Sequence, residues 1–111
     1  MQLHDAIALA RLAVSASPTR PATAVIHDSP DARLVLFRIA PSQAVAVHTS
    51  PSSVILSVLA GEGFVTGEQG EQEVRAGDVV TFAPKEPHGM RATMTELLIL
   101  AVIAPRPGGA R

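Results

Sequence analysis

Residues 48–61 read His48-Thr-Ser-Pro-Ser-Ser-Val-Ile-Leu-Ser-Val-Leu-Ala-Gly61, and residues 77–88 read Gly77-Asp-Val-Val-Thr-Phe-Ala-Pro-Lys-Glu-Pro-His88. Each segment combines an apolar run of strand length with turn residues beside it, and each carries one histidine. Val, Ile, Leu, Phe and Thr suit the half-buried surface of a pleated sheet, whereas Gly, Asp and Pro mark turns. The two segments therefore predict strands separated by tight turns.

The same pattern extends over most of the chain. From Ala22 onward, short apolar runs alternate with turn residues, and no helical period interrupts them. The predicted strands are Thr23–His27, Arg33–Ala40, Ala44–His48, Val54–Leu59, Gly63–Gly67, Gln72–Arg75, Val79–Ala83, His88–Ala92 and Leu97–Ala104. Many short strands at this spacing are typical of an all-β sandwich or barrel.

The two ends of the chain depart from this pattern. The first residues place apolar side chains at near-helical spacing, at Leu3, Ile7, Ala10 and Val14. We therefore predict a short N-terminal helix and linker over residues 1–21. A β-barrel follows over residues 22–104, and the Pro/Gly-rich residues 105–111 are expected to form a flexible tail. Together these parts make one domain.

The composition disfavours several classes of function. The 111 residues include nine Lys and Arg against ten Asp and Glu, with no Trp, Tyr or Cys. A nucleic-acid binder would carry a basic stripe, often with aromatic side chains for stacking. Without cysteine there is no disulfide, thiolate nucleophile or Cys-ligated metal. The apolar run near the N-terminus is too short to cross a membrane and lacks the preceding positive charge of a signal peptide. We expect a cytoplasmic chain with no nucleic-acid or membrane partner.

Leu97–Ala104 contains no polar residue. A strand that is buried on both faces reads in this way. One face would pack inside the barrel. The other face would be covered either by the chain's own N-terminal helix or by a second subunit, and the second possibility predicts a homodimer.

Two histidines are the residues best suited to chemistry. Strand alternation places Ala44, Ala46 and His48 on one face, and His88 follows a turn that Pro84 and Pro87 stiffen. Neutral imidazole is a common metal ligand, so two histidines from different strands could form part of a metal site. The alternative is that each is a hydrogen-bonded structural residue.

The two segments quoted above resemble the two motifs of the cupin family. The first motif has the form His-x-His, three or four residues, Glu, six residues and Gly, and Gly61 lies at the required distance after Val54. The second motif joins a Gly-Asp turn, an apolar strand, a Pro-rich turn and a histidine, as residues 77–88 do. The resemblance implies a small cupin-type β-barrel or jelly roll with a short N-terminal helix.

The departures from the motif concern the metal site. In metal-binding cupins the three histidines and the glutamate hold one metal inside the barrel. By this resemblance His48 and His88 occupy the first and last ligand positions, whereas Ser50 replaces the second histidine and Val54 the glutamate. The resemblance thus implies a degenerate site, with no metal or a weakly held divalent metal such as Fe, Mn, Ni or Zn. His27 would complete it only if its strand runs alongside.

Three functions remain open from the sequence. The first is binding of a small molecule inside the barrel, where the candidate lining residues are Ser50, Val54, Phe64 and Met90. The second is a metal-dependent cupin enzyme, a dioxygenase, isomerase or decarboxylase, that uses His48 and His88. The third is a dimeric structural or interaction module built on residues 97–104.

Overall fold

The computed structural model describes residues 1–108, which form one helix and nine strands. The elements are α1 (Ala6–Leu12), β1 (Ala22–Asp28), β2 (Arg33–Ile39), β3 (Ala44–His48), β4 (Ser53–Ala60), β5 (Glu62–Gly67), β6 (Gly70–Arg75), β7 (Val79–Phe82), β8 (His88–Ala92) and β9 (Leu97–Ala104). All strand pairs are antiparallel, in a five-stranded sheet of order β1-β2-β9-β4-β7 and a four-stranded sheet of order β3-β8-β5-β6. The predicted all-β jelly roll with a short N-terminal helix is confirmed.

The main core lies between the two sheets. Alternate residues of β4 face inward, and Val54, Leu56 and Val58 are each at most 3% exposed. They pack with Val65 and Met90 from the four-stranded sheet. Because burial of one such side chain contributes about 1.5–3 kcal/mol, this core supplies much of the stability of a chain without disulfides.

Strand β9 is buried on both faces, as its sequence predicts. Leu97 and Ile99 lie in the core between the sheets, and Leu98 points to the opposite face. All three are 0% exposed. On the outer face, Leu98 packs with Ala10 of α1 and Leu36 of β2. The chain's own helix thus covers Leu98, and the expected homodimer stays a prediction.

Helix α1 is shorter than the apolar run that predicted it. It begins after Asp5, whose carboxylate accepts a hydrogen bond from the backbone N–H of Ala8, and this side chain therefore caps the N-terminus. Leu3 and Val14 fall outside the helix and are exposed. No helix among residues 1–108 is long and apolar enough to span a lipid bilayer.

Residues 105–107, part of the predicted flexible tail, contact the barrel through hydrogen bonds of residues 105 and 106, and their flexibility stays a prediction. The buried hydroxyl of Ser52 donates a hydrogen bond to the carbonyl oxygen of Pro105. The backbone N–H of Arg106 donates to the carbonyl of Pro30, and its guanidinium lies 3.4 Å from the carboxylate of Asp28. Residues 109–111 of the predicted tail lie outside the described residues.

Candidate functional site

A cavity of about 220 Å³ lies inside the barrel between the two sheets. Most of its wall is apolar and comes from Phe37, Val54, Leu56, Met90, Ala101 and Ile103. Its polar side chains are those of His48, Thr49, Ser50 and His88. Ligand sites commonly have roughly 300–1,000 Å³, so this cavity suits a ligand smaller than most drugs.

A β-bulge in β3 determines where His48 points. Val45 pairs with Met90, yet His48 pairs with His88, so two residues of β3 stand opposite Gly89 alone. The extra residue reverses the alternation that follows it. The predicted common face for residues 44, 46 and 48 is therefore wrong, because His48 shares the inward face of Val45.

Gly89 makes room for this bulge. A Cβ atom at this position would lie 3.0 Å from the carbonyl oxygen of Val45 and 3.0 Å from a methyl group of Val47. A side chain here would require β3 to shift by a few tenths of an ångström relative to β8. Gly89 thus helps to position the two histidines, a role that was not predicted from the sequence.

The two histidines are direct cross-strand neighbours. Their ring centroids are 4.3 Å apart, and the rings meet edge to face at 62°. The Phe82 ring lies 5.2 Å from that of His88. Directly paired residues of two antiparallel strands have side chains on the same face of the sheet, which brings the two rings this close.

Both rings use Nδ1 in the same way. Nδ1 of His48 is 2.9 Å from the carbonyl oxygen of Ala46, and Nδ1 of His88 is 2.9 Å from that of Glu86. A carbonyl oxygen can only accept, so each Nδ1 carries the hydrogen. In the neutral ring, Nε2 is then left as a hydrogen-bond acceptor.

Each Nε2 is open rather than buried. His48 is exposed. His88 is only 6% exposed, but in residues 1–108 no buried side-chain nitrogen or oxygen lacks a partner. Because none of the hydrogen bonds among these described residues involves its Nε2, that atom retains some accessible surface. Both side chains line the cavity, and Nε2 is the ring nitrogen farther from the backbone, so the cavity offers two free acceptors.

Three of the other residues predicted for the site also line the cavity. Val54 and Met90 form part of its apolar wall and are at most 5% exposed. Ser50 lies at the polar end, where its hydroxyl accepts a hydrogen bond from the backbone N–H of Ser52. The wall residues Phe37, Leu56, Ala101 and Ile103 were not predicted from the sequence, although alternation along β4 indicates Leu56 beside Val54.

Phe64, predicted to line the barrel, lies on the outer face of β5 instead. The guanidinium carbon of Arg91 stands 4.3 Å from the centroid of its ring. Arg91 also donates to Glu71 at 2.6 Å, and this hydrogen bond holds the pKa of the Glu71 carboxyl below its usual value. The inward residues of β5 are Gly63 and Val65, so strand phase places the aromatic ring outside.

His27 does not join the histidine pair. It lies on β1 opposite Leu34 and borders a separate surface depression together with Gln2 and His4. That depression shares no lining residue with the cavity in the barrel. The third ligand considered from the sequence is thus placed elsewhere.

The side chains present do not fit a tightly held catalytic metal. Both histidines have the tautomer that metal ligands adopt, with Nδ1–H donated to a carbonyl. A catalytic zinc site commonly has three protein ligands, and a non-haem iron triad requires a carboxylate. Nowhere in residues 1–108 are three or more His, Cys, Asp or Glu side chains grouped to hold an ion. At the cavity, the Ser50 hydroxyl would be a poor metal ligand, and the Val54 side chain cannot bind a metal at all.

Comparison with known proteins supports this picture of the fold. The profile of the Cupin domain family matches residues 35–104, more than half of the 111 residues. The chain belongs to the cupin family. The comparison of this cupin with curated proteins found no match.

Three solved structures illustrate the similarity. A protein of Thermus thermophilus is 29% identical, with a TM-score of 0.83 over 96% of this cupin and 100% of that chain. An RmlC-like cupin protein of Desulfovibrio desulfuricans is 27% identical, with a TM-score of 0.80 over 95% and 97% of the two chains. A predicted oxalate decarboxylase of Thermotoga maritima is 26% identical, with a TM-score of 0.73 over 78% and 81%.

Proposed function

We propose that this cupin binds a small, largely apolar molecule inside its barrel, with weak or no participation of a metal. The observation that carries the proposal is the cavity of about 220 Å³, which joins apolar walls to two open imidazole nitrogens. Apolar walls supply most of the affinity in such sites, and a few polar groups fix the orientation of the ligand. At the cavity Val54 takes the position of the family's ligating carboxylate, which favours packing over metal ligation.

Filling the cavity is the direct test of this proposal. Ala101 lines the cavity and is 3% exposed, so an Ala101→Leu side chain would occupy the space of a ligand. We expect fragments that bind the wild type in ligand-detected NMR to lose at least about tenfold in affinity in this variant. Val102→Leu, on the opposite face of the same strand, is the matched control and should retain binding. Binding that survives Ala101→Leu, or the absence of any binder, would contradict the proposal.

The second candidate is a metal-dependent cupin enzyme. It is favoured by the Nδ1-protonated tautomer of both histidines, which leaves each Nε2 free to ligate. The predicted oxalate decarboxylase from Thermotoga maritima, 26% identical to this chain, gives the same candidate some support.

Metal content separates the two candidates. Because the described residues bring two imidazoles to the cavity, we expect well under one equivalent of metal in untagged protein loaded with Fe, Mn, Ni or Zn and then desalted. Inductively coupled plasma mass spectrometry gives the stoichiometry. One equivalent that disappears in His48→Ala and in His88→Ala, but remains in His27→Ala, would instead establish the metal-dependent candidate.

The third candidate, a dimeric structural module, remains a prediction. The apolar side chains available for it are on the outer face of the five-stranded sheet, where Val79 is 61% and Ile55 37% exposed. Leu98 and Ile99 are fully buried within the chain itself and offer nothing to a partner.

A further inference from the structure

We propose that the histidine pair selects a neutral ligand with a hydroxyl group, such as a small phenol or alcohol, whose hydrogen is donated to Nε2 of His48 or His88. This inference rests on the proposed binding function and adds the chemical class of the ligand. It follows from the hydrogen bonds and the charges around the cavity.

The two histidines determine which hydrogen-bonding groups the cavity offers a ligand. Each Nδ1–H is already donated to a carbonyl at 2.9 Å, from His48 to Ala46 and from His88 to Glu86. The neutral rings therefore present acceptors to the cavity and no donor. A ligand that brings a donor satisfies them, whereas a ligand that brings only an acceptor leaves both unpaired in an apolar site.

The charge of the cavity wall limits which ligands can bind. Within residues 1–108, no Asp, Glu, Lys or Arg side chain lines the cavity. Arg38 and Arg91 directly follow two wall residues in sequence, but they do not line the cavity. They pair with Glu96 and Glu71 instead.

Lys85 and Glu86 lie in the turn before β8, and neither is among the described residues that line the cavity. The Glu86 carboxylate accepts a hydrogen bond from the backbone N–H of Ala83, and Glu86 lines a different surface depression. A charged ligand would therefore lose its hydration without gaining a counter-charge.

The Ser50 side chain favours a ligand hydroxyl over a ligand group that only donates a hydrogen bond. Ser50 lines the cavity, and its oxygen accepts from the backbone N–H of Ser52. Within residues 1–108 no protein acceptor takes the hydrogen of the Ser50 hydroxyl. A ligand hydroxyl can donate to an imidazole and also accept from this serine, so both of its roles are matched.

Phenol and anisole test the inference because they differ by one methyl group that removes the donor. Isothermal titration at pH 8 with a chelator present should give phenol at least about tenfold higher affinity than anisole, and benzoate the weakest binding. In the His48→Phe/His88→Phe double variant the phenol-to-anisole ratio should fall to about one. His27→Phe, outside the cavity, should leave the ratio at its wild-type value.

Nitrogen-15 NMR of the histidine rings in the wild type gives a second readout that needs no folded variant. We expect both rings to carry the proton on Nδ1, and phenol, unlike anisole, to shift the Nε2 resonances. Rings protonated on Nε2 would overturn the inference, as would tighter binding of benzoate or binding of phenol that the chelator abolishes. Equal affinity for phenol and anisole, with both lost in Ala101→Leu, would overturn the inference alone and leave the proposed binding function standing.

Discussion

Gly61→Ala is expected to destabilise the protein by more than about 4 kcal/mol, a loss large enough to leave a substantial fraction unfolded. Gly61 has a φ of +81°, which by itself costs an L-residue about 1–3 kcal/mol. In addition, a Cβ atom here would overlap the carbonyl oxygen of Glu96. That oxygen belongs to the backbone immediately before β9, and it cannot retreat without disturbing the pairing of Ala60 with Leu98.

Gly70→Ala is the matched control for this prediction. Gly70 has a φ of +116°, but nothing lies within 4 Å of a Cβ atom built there. Only the backbone cost of about 1–3 kcal/mol should then appear. Urea unfolding followed by circular dichroism measures both variants. Equal losses in the two would mean that the close approach at Gly61 contributes nothing.

Leu98→Asp is expected to have a comparably large effect, a loss of more than about 4 kcal/mol in the free energy of unfolding. Leu98 is 0% exposed and packs against Ala10 and Leu36. The cross-strand partner of Leu98 is Arg38, whose guanidinium already donates to the Glu96 carboxylate and to the carbonyl oxygen of Arg11. A new carboxylate at position 98 would therefore be buried without a counter-charge of its own. The variant should also loosen α1, since Leu98 packs against Ala10 of that helix.

Val79→Asp distinguishes a role of the outer face of the five-stranded sheet in folding from a role of that face in association. Val79 lies on β7 in the same sheet and is 61% exposed, so the substitution should change the free energy of unfolding by no more than about 0.5 kcal/mol. Light scattering on the same samples reports the molecular mass. A stability loss in Val79→Asp equal to that in Leu98→Asp would contradict the account of the helix as the cover of β9.

Strand positions and the inward phase of β4 and β8 could be predicted because these strands are regular. Val54 and Met90 face the core in the phase that alternation gives them. In β3 the same reasoning fails, since the bulge depends on its packing against Gly89, a contact between residues distant in sequence. A local pattern does not contain that information.

Phe64 illustrates a different limit of sequence reasoning. A large aromatic side chain favours the interior, but its strand neighbour Gly63 fits against the backbone of Arg91 and the side chain of Leu97, where no Cβ has space. Because side chains alternate along β5, Phe64 then lies on the outer face, where the Arg91 guanidinium covers its ring. The docking of Pro107 at the cavity is likewise a tertiary contact, made through hydrogen bonds of residues 105 and 106 with distant parts of the chain.

The position of β9 has a consequence for the newly synthesised chain. Among the described strands β9 is the last to leave the ribosome, yet it lies between β2 and β4, both made earlier. Until it emerges, the pairs β1-β2 and β4-β7 are unconnected, each with a free edge that another chain could pair with. The apolar side chains below α1 also remain uncovered during that interval. Closure of the sheet therefore waits for its central strand, and the free edges of β2 and β4 stay exposed to pairing with other chains until β9 has emerged.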